Sequence, residues 1–304
     1  MRKAIAGLVL AAFVAVPARA QDAYPAEGDL PAQPAVNRPA TPIPPEQFDK
    51  MVPKHPGQLG VLAPANIRKP RPKPPFDLTG TWFVDLRQGF TKFMFGPPYP
   101  KFNRPGREAL IEGAKAAAAG KTYRDAIGQC YPPGMPMIMT RVWPQNFIQI
   151  PTAIFMISGF NNSVRTIFMD GRKHTDPDIV VPSYNGESIG HWEGDTLVVD
   201  TAYFEPEQHY IDMGIPIDDQ FHMIERINLL NGGKTMRIKY IMTDPTMWEG
   251  EWTSTKDFLR EDNTDINEAE CILQYNQHLP GTELGSETAK ERGQTELKGV
   301  SNDK

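Results

Sequence analysis

The sequence predicts a mainly β domain, built as an antiparallel barrel or sandwich. Short segments in which apolar and polar residues alternate recur along the chain, separated by turn residues. Met236, Ile238 and Tyr240, for example, are separated by an arginine and a lysine. This period of two gives a strand one apolar and one polar face. Many short strands with one helix are typical of antiparallel barrels and sandwiches.

The individual elements follow from local signals. Strands are predicted at residues 80–86, 153–158, 163–169, 225–230, 235–243 and 252–260. A Gly-Phe-Asn-Asn turn joins the second and third of these strands, and an Asn-Gly-Gly-Lys turn joins the fourth and fifth, so each pair is predicted to form a hairpin. One helix is predicted at 106–119, because four consecutive alanines and several charged residues favour helix.

Three other segments flank the predicted barrel domain, which spans residues 76–280. Residues 1–20 have the basic start, the apolar core and the Ala-Arg-Ala end of a signal peptide. Residues 21–75 are rich in proline, which prevents helix and central strand, so an extended arm or linker is expected. Residues 281–304 are polar and lack aromatic side chains, so this tail is expected to be disordered.

The signal peptide predicts export to the periplasm or secretion. Its removal takes away three basic residues and moves the formal net charge from -5 to -8, which argues against nucleic acid and anionic membranes as partners. No later segment is apolar enough for membrane insertion. The sequence does not indicate an oligomeric state.

The chain contains two cysteines, Cys130 and Cys271. In an oxidising compartment they are expected to form a disulfide. That bond would close a loop of roughly 140 residues and contribute about 3–5 kcal/mol on the chain-entropy model. The alternative is a reactive free thiol, which would leave the other cysteine unexplained.

The stretch SIGHWEGDTLVVDT at residues 188–201 concentrates a histidine and three carboxylates. We interpret it as a hairpin whose turn contains Glu193 and Asp195, both exposed at one end of the barrel. His191 and Asp200 are then the candidate catalytic residues of the stretch. A joint catalytic role requires both side chains to point into the barrel and to lie near each other.

His222 and Arg226 form a second candidate pair, which we expect on one face of a strand because they are four residues apart. Glu225 would face the opposite side, which disfavours a metal site built from His222 and Glu225. Facing a common cavity, the imidazole could relay a proton while the guanidinium holds an oxyanion. The alternative is a surface ladder of ion pairs.

Arg172 and His174 lie two residues apart and could project together from a loop beside the barrel mouth. The histidines are numerous enough for a zinc or iron site, but no His-x-His or His-x-x-x-His spacing occurs. A divalent metal is therefore kept as an alternative, and otherwise no cofactor is expected. Stretches rich in methionine and phenylalanine, such as residues 135–139, fit either an apolar ligand site or a core.

Gly80, Thr81 and Trp82, at the start of the first strand, resemble the Gly-x-Trp signature of lipocalin-type barrels. In those proteins the tryptophan closes the barrel floor and stacks on an arginine from a late strand. Arg260 is the matching position in this chain. The resemblance implies a lipocalin-like barrel.

Most of the core also resembles a large family of exported bacterial proteins of uncharacterised function. The shared motifs are Asp170-Gly171-Arg172-Lys173-His174, the stretch at 188–199, His222 to Arg226, and Asp244-Pro245 followed by Trp248, with cysteines matched by Cys130 and Cys271. That family often has histidine where this chain has Glu187, and arginine where it has His191. The resemblance implies export, the disulfide and the architecture, but no particular reaction.

The sequence supports two classes of function. The first is an exported enzyme that performs cofactor-free acid-base chemistry, as a lyase, hydratase or hydrolase, on a small apolar or aromatic molecule. Its candidate catalytic residues are Arg172, His174, His191, Asp200, His222 and Arg226. The second is a periplasmic carrier that binds such a molecule in the same pocket without turnover. The number of histidine, arginine and carboxylate residues favours the enzyme.

Overall fold

The structure, a computed structural model, covers most of the predicted barrel domain. It describes residues 44–47, 57–89, 94–119, 127, 130–212, 214–267 and 269–271. The predictions of a signal peptide at 1–20 and of a disordered tail at 281–304 lie outside the described residues.

The chain divides into two compact units, residues 1–56 and residues 57–304. In the first unit, residues 44–47 form one turn, in which the Gln47 N–H donates to the Pro44 carbonyl at 2.9 Å. The second unit contains all of the strands that the structure describes.

The strands of the second unit are β1 (Gly80–Val84), β2 (Lys101–Phe102), β3 (Gln145–Ile150), β4 (Ala153–Ser158), β5 (Val164–Phe168), β6 (Glu187–Glu193), β7 (Thr196–Ala202), β8 (Tyr210–Asp212), β9 (Ile215–Pro216), β10 (His222–Leu230), β11 (Thr235–Thr243), β12 (Trp248–Glu249) and β13 (Trp252–Arg260). Its α-helices are α1 (Pro64–Ile67) and α2 (Arg104–Ala118). Within the described ranges, neither of these helices nor any other is both long and apolar enough to cross a membrane.

Nine of these strands close into a barrel in the order β1-β13-β11-β10-β7-β6-β5-β4-β3. The prediction of a mainly β barrel is therefore confirmed, and both predicted hairpins are present as β4–β5 and β10–β11. The stretch at 188–201 is also a hairpin, formed by β6 and β7. The predicted helix is present as α2. Strand β3 was not predicted.

The barrel is not purely antiparallel, which corrects the predicted fold class at one position. Strands β5 and β6 run parallel, with Ile167 beside Ser188 and Phe168 beside Ile189. The chain therefore cannot join them by a hairpin, and residues 169–186 return outside the barrel to the end at which β5 begins. We call this segment the crossover.

The two ends of the barrel differ in their connections. At one end, which we call the floor, short turns at 151–152, 194–195 and 231–234 join neighbouring strands. At the other end, the mouth, the long connections 85–144, 203–221 and 244–251 leave and re-enter the barrel. The mouth is therefore the end where the fold places most of its additional structure.

The floor contains the tryptophan and the arginine that the lipocalin resemblance implied. Trp82 is fully buried, and the Arg260 guanidinium lies 4.3 Å from the centre of its indole ring. Arg260 also donates to the carbonyls of Thr79 and Gly233, at 2.6 and 3.1 Å. These contacts hold together the first and the last strand of the barrel in sequence order, since β1 and β13 are neighbours.

The interior of the barrel is filled with side chains. Large buried residues from several strands occupy it, among them Trp82, Phe147, Met156, Met223, Met236, Ile238, Tyr240, Trp252 and Phe258. The methionine-rich stretch at 135–139 is buried as well, largely in a short 3-10 helix at Met137–Thr140. Both groups therefore pack as core. Of the two interpretations of the methionine-rich stretches, an apolar ligand site or a core, the structure supports the core.

A charged pair lies within this apolar interior. Arg165 Nη1 donates to Glu225 Oε1 at 3.1 Å, and Arg165 Nη2 contacts Glu225 Oε2. The guanidinium also donates to the hydroxyls of Ser188 and Thr201, both at 2.9 Å. Only 2% and 1% of the two charged side chains are exposed, so the pair is removed from water.

Cys130 and Cys271 form a disulfide, as the sequence predicts, with their Cα atoms 5.4 Å apart. The alternative of a free thiol is wrong, because no free cysteine is present. Next to the bond, the Cys271 N–H donates to the Asn161 side chain at 3.3 Å, and the Ala269 N–H donates to Asn162 at 3.0 Å. The segment that carries Cys271 is thus held on the β4–β5 turn.

Candidate functional site

Strands β7 and β10 place two titratable side chains together on the outer face of the barrel. Burial alternates along β10, so Met223 and Glu225 point inward, and His222 and Ile224 point outward. Asp200 on β7 is the register partner of Ile224, and it points outward for the same reason. His222 begins β10, so the two side chains lie near the mouth.

The crossover and β6 complete a group that we call the histidine cluster: Glu187, His174, Asp200 and His222. His222 Nε2 lies 2.7 Å from Asp200 Oδ1, and His174 Nε2 lies 3.3 Å from the same oxygen. The two imidazoles are therefore within about 6 Å of each other. His174 Nδ1 lies 2.9 Å from Glu187 Oε2. The four side chains form one continuous hydrogen-bonded chain.

The two histidines differ in the hydrogen-bond partners of their ring nitrogens. His174 has a carboxylate oxygen within hydrogen-bond distance of each ring nitrogen, Glu187 Oε2 at Nδ1 and Asp200 Oδ1 at Nε2. His222 donates from Nε2 to Asp200, which leaves its Nδ1 as a lone pair. Among the described residues none hydrogen-bonds to this Nδ1, and 40% of the side chain is exposed. His222 therefore presents a base to solvent.

The carboxyl groups of the cluster favour their charged forms. The hydrogen bond from His222 lowers the pKa of Asp200, against the opposing effect of burial, and His174 lowers it further. Burial raises the pKa of Glu187, but hydrogen bonds from Thr175 and His174 outweigh it, so the net pKa is below its ordinary value. The cluster therefore places the Asp200 carboxylate beside the His222 imidazole and the Glu187 carboxylate beside the His174 imidazole.

Tyr203 borders the cluster, although the sequence carries no signal for it. Its ring lies edge-on to the His174 imidazole, with the ring centres 5.8 Å apart. Its φ of 59° is in the left-handed region, which is unusual for a bulky residue. Such backbone conformations concentrate at functional sites. Tyr203 is therefore a residue of the candidate site that sequence reasoning missed.

Replacing His222 with phenylalanine is expected to raise the pKa of Asp200, because the hydrogen bond from His222 is the largest cause of its lowering. The carboxyl ¹³C resonance of Asp200, followed as a function of pH by NMR, measures this change. His191→Phe is the control, since His191 contacts Glu193 and not Asp200. An Asp200 titration that is the same in wild type and His222→Phe would show that the 2.7 Å contact does not exist in solution.

Arg226 and His191 lie together but apart from the histidine cluster. Arg226 Nη1 donates to Glu193 Oε2 at 2.8 Å, and His191 Nε2 lies 3.2 Å from Glu193 Oε1. All three side chains are substantially exposed. His191 and Asp200 both point outward, so the inward arrangement required for their joint role is not met. This second group is an ion-pair ladder on the barrel wall.

Arg172 is also separated from the cluster, although it is two residues from His174. It makes two hydrogen bonds to Asp170, at 2.8 and 2.7 Å, and its guanidinium lies 4.0 Å from the centre of the Phe168 ring. Burial opposes ionisation of Asp170, but hydrogen bonds from Arg172 and Asn66 lower its pKa to about 2. Arg172 therefore holds the start of the crossover against residues near α1.

The expected pocket inside the barrel is not where the titratable residues meet. The interior is packed, and the cluster lies outside it. A groove of about 550 Å³ lies elsewhere, along α2, lined by Pro105, Glu108, Ala109, Glu112, Pro216 and Met247. Within the described ranges, no three or more His, Cys, Asp or Glu side chains are arranged to hold a metal ion.

The fold and the site together define a nine-stranded barrel protein with a histidine–carboxylate cluster on its outer wall. No protein-family model matches this chain, and no curated protein matches it either.

Proposed function

We propose that this protein is an enzyme that uses His222 as a general base. The observation that carries the proposal is the arrangement at His222, where Nε2 is anchored to Asp200 and Nδ1 faces solvent without a described partner. A carboxylate that fixes the tautomer of a histidine and stabilises its protonated form is the arrangement of Asp–His pairs in hydrolases. Here His174 in turn contacts Asp200, and Glu187 holds His174.

The reaction class that fits is proton abstraction from a small molecule or from water. In an elimination, Nδ1 removes a proton from carbon and the electron pair of the C–H bond forms a π bond. The bond between the neighbouring carbon and the leaving group breaks, and the leaving group departs with the electron pair of that bond. In a hydrolysis, Nδ1 removes a proton from water while the oxygen attacks a carbonyl, and that proton later reaches the leaving group. The carrier alternative is less well supported, because side chains occupy the described barrel interior.

The same proposal includes export, in keeping with the resemblance to exported bacterial proteins and with removal of residues 1–20. The disulfide between Cys130 and Cys271 supports it, because structural disulfides persist in oxidising compartments. The substrate is proposed to be a small apolar or aromatic molecule.

Two chromogenic probes test the proposal and separate its two reactions. A nitrobenzisoxazole reports proton abstraction from carbon, and p-nitrophenyl acetate reports hydrolysis. The wild type is expected to turn over at least one probe faster than an equal concentration of free imidazole. His222→Ala is expected to lower that rate on the order of 100-fold, as removal of a positioned base does. Asp200→Asn is expected to act in the same direction, because Asp200 holds the tautomer.

His191→Ala provides the matched control, since it removes an exposed histidine on the same barrel wall that is not hydrogen-bonded to Asp200. Its rates should equal those of the wild type. If the wild type is no faster than free imidazole on both probes, the histidine cluster is a structural ion-pair chain and the proposed function is wrong.

A further inference from the structure

Residues 176–182, which we call the lip, leave the crossover beside the histidine cluster. Just before the lip, Thr175 donates to Glu187 from its backbone N–H at 2.8 Å and from its hydroxyl at 2.6 Å. Just after it, the Ser183 N–H donates to the Tyr203 carbonyl at 3.1 Å. Glu187 and Tyr203 both contact His174. The two ends of the lip are therefore fixed to the candidate site.

The lip has a defined turn within it. The backbone N–H groups of Ile179 and Val180 both donate to the Asp176 carbonyl at 3.0 Å, and the Asp178 N–H donates to the Asp176 side chain at 3.0 Å. A loop held in one conformation loses less entropy on binding a ligand than a loop that must first become ordered. The lip is thus organised in advance of binding.

The lip is apolar where a surface turn is ordinarily polar. Ile179 and Val181 are 72% and 85% exposed, more than any other large apolar side chain among the described residues. Scattered apolar residues on a surface need no explanation. These two differ because they lie two residues apart on one organised loop whose ends are fixed to the histidine cluster. Ile179 is four positions along the chain from Thr175, so the two residues are about 14 Å apart at most, even for extended chain.

We propose that Ile179 and Val181 bind the apolar part of the substrate while the reacting bond lies at His222. This inference rests on the proposed function and specifies its substrate class. The substrate is a molecule with an alkyl chain or ring on one side of the bond at which the base acts. The lip then determines chain-length specificity, and the histidine cluster supplies the proton acceptor.

Binding of p-nitrophenyl alkyl ethers tests the lip without requiring turnover, because the ether bond is not hydrolysed. The dissociation constant, measured by equilibrium dialysis over a series of increasing chain length, is expected to fall roughly two- to fourfold per added methylene in the wild type. The double variant Ile179→Ser/Val181→Ser is expected to lose this dependence. Leu62→Ser is the matched control, since Leu62 is 64% exposed but lies outside the lip, and it should bind as the wild type does.

The outcomes separate the lip from the proposed function. A dissociation constant independent of chain length in the wild type, or a dependence unchanged in the double variant, overturns the lip proposal whatever the chromogenic probes show. A chain-length dependence that the double variant abolishes supports the lip even if neither probe is turned over, in which case the proposed function alone fails. Sedimentation that shows self-association in the wild type and none in the double variant would assign Ile179 and Val181 to a contact between copies, and would also overturn the lip proposal.

Discussion

Glu225→Gln is expected to lower the free energy of unfolding by about 3–5 kcal/mol, because it leaves the Arg165 guanidinium buried without a compensating charge. The two side chains are almost completely buried, so neither water nor salt screens the remaining charge. Arg165→Met should cost a similar amount for the converse reason. Urea denaturation of the purified variants measures both effects, and a loss of this size is a large share of a typical folding free energy.

The double variant Arg165→Met/Glu225→Leu should lose much less than the sum of the two single losses, since apolar side chains of similar volume avoid the desolvation penalty. Asp257→Asn is the matched control for charge. Asp257 makes two hydrogen bonds of 2.7 Å to Arg237 on the outer face of the barrel, where 50% of the arginine side chain is exposed. Its loss should cost about 1 kcal/mol or less. If Glu225→Gln costs no more than Asp257→Asn, the pair is not buried in solution.

Removing the disulfide is expected to have an effect of comparable size. In the double variant Cys130→Ser/Cys271→Ser, the free energy of unfolding should fall by about 3–5 kcal/mol, because the bond constrains an unfolded loop with a sequence separation of 141 residues. Urea denaturation again provides the measurement. Reducing agent should destabilise the wild type by the same amount and leave the double variant unchanged.

Thiol titration of the unfolded, non-reduced protein gives an independent check of the same bond. It should find no free thiol, because both cysteines of the chain are paired. Two free thiols would contradict the disulfide and would remove its support for export.

The local features of the fold were readable from the sequence because their causes are local. The alternation of Met236, Ile238 and Tyr240 predicted β11, and a turn rich in glycine and asparagine predicted its hairpin with β10. Strand β3 was missed because Gln145 and Gln149 interrupt its apolar pattern, although Gln145 is buried. The parallel pair had no signal, because it depends on the path of the whole chain around the barrel.

The candidate site was readable only in part, because its residues meet through register. The period of two correctly placed His222 and Arg226 on the face opposite Glu225. It did not show that β7 and β10 are neighbours in the barrel, because the segment between them in the sequence contains β8 and β9. The pairing of β7 with β10 is what brings Asp200 to His222.

Two other features depended on contacts that no local pattern encodes. The partner of Glu225 is Arg165, sixty residues away in the sequence. Tyr203 is the first residue after β7, and its position beside His174 depends on its own left-handed backbone conformation.

The number of strands in the barrel explains why His174 reaches the cluster. A closed ring of strands that alternate in direction has only antiparallel neighbours when the number of strands is even. With nine strands, at least one neighbouring pair must run parallel, and here that pair is β5 and β6. The parallel pair requires a return segment on the outer wall, and that segment carries His174 to Asp200 and Glu187. An eight- or ten-stranded version could join the same two strands by a hairpin and would have no segment to deliver this histidine. Because the barrel has an odd number of strands, its topology requires a parallel pair, and the crossover that joins this pair brings His174 to the candidate site.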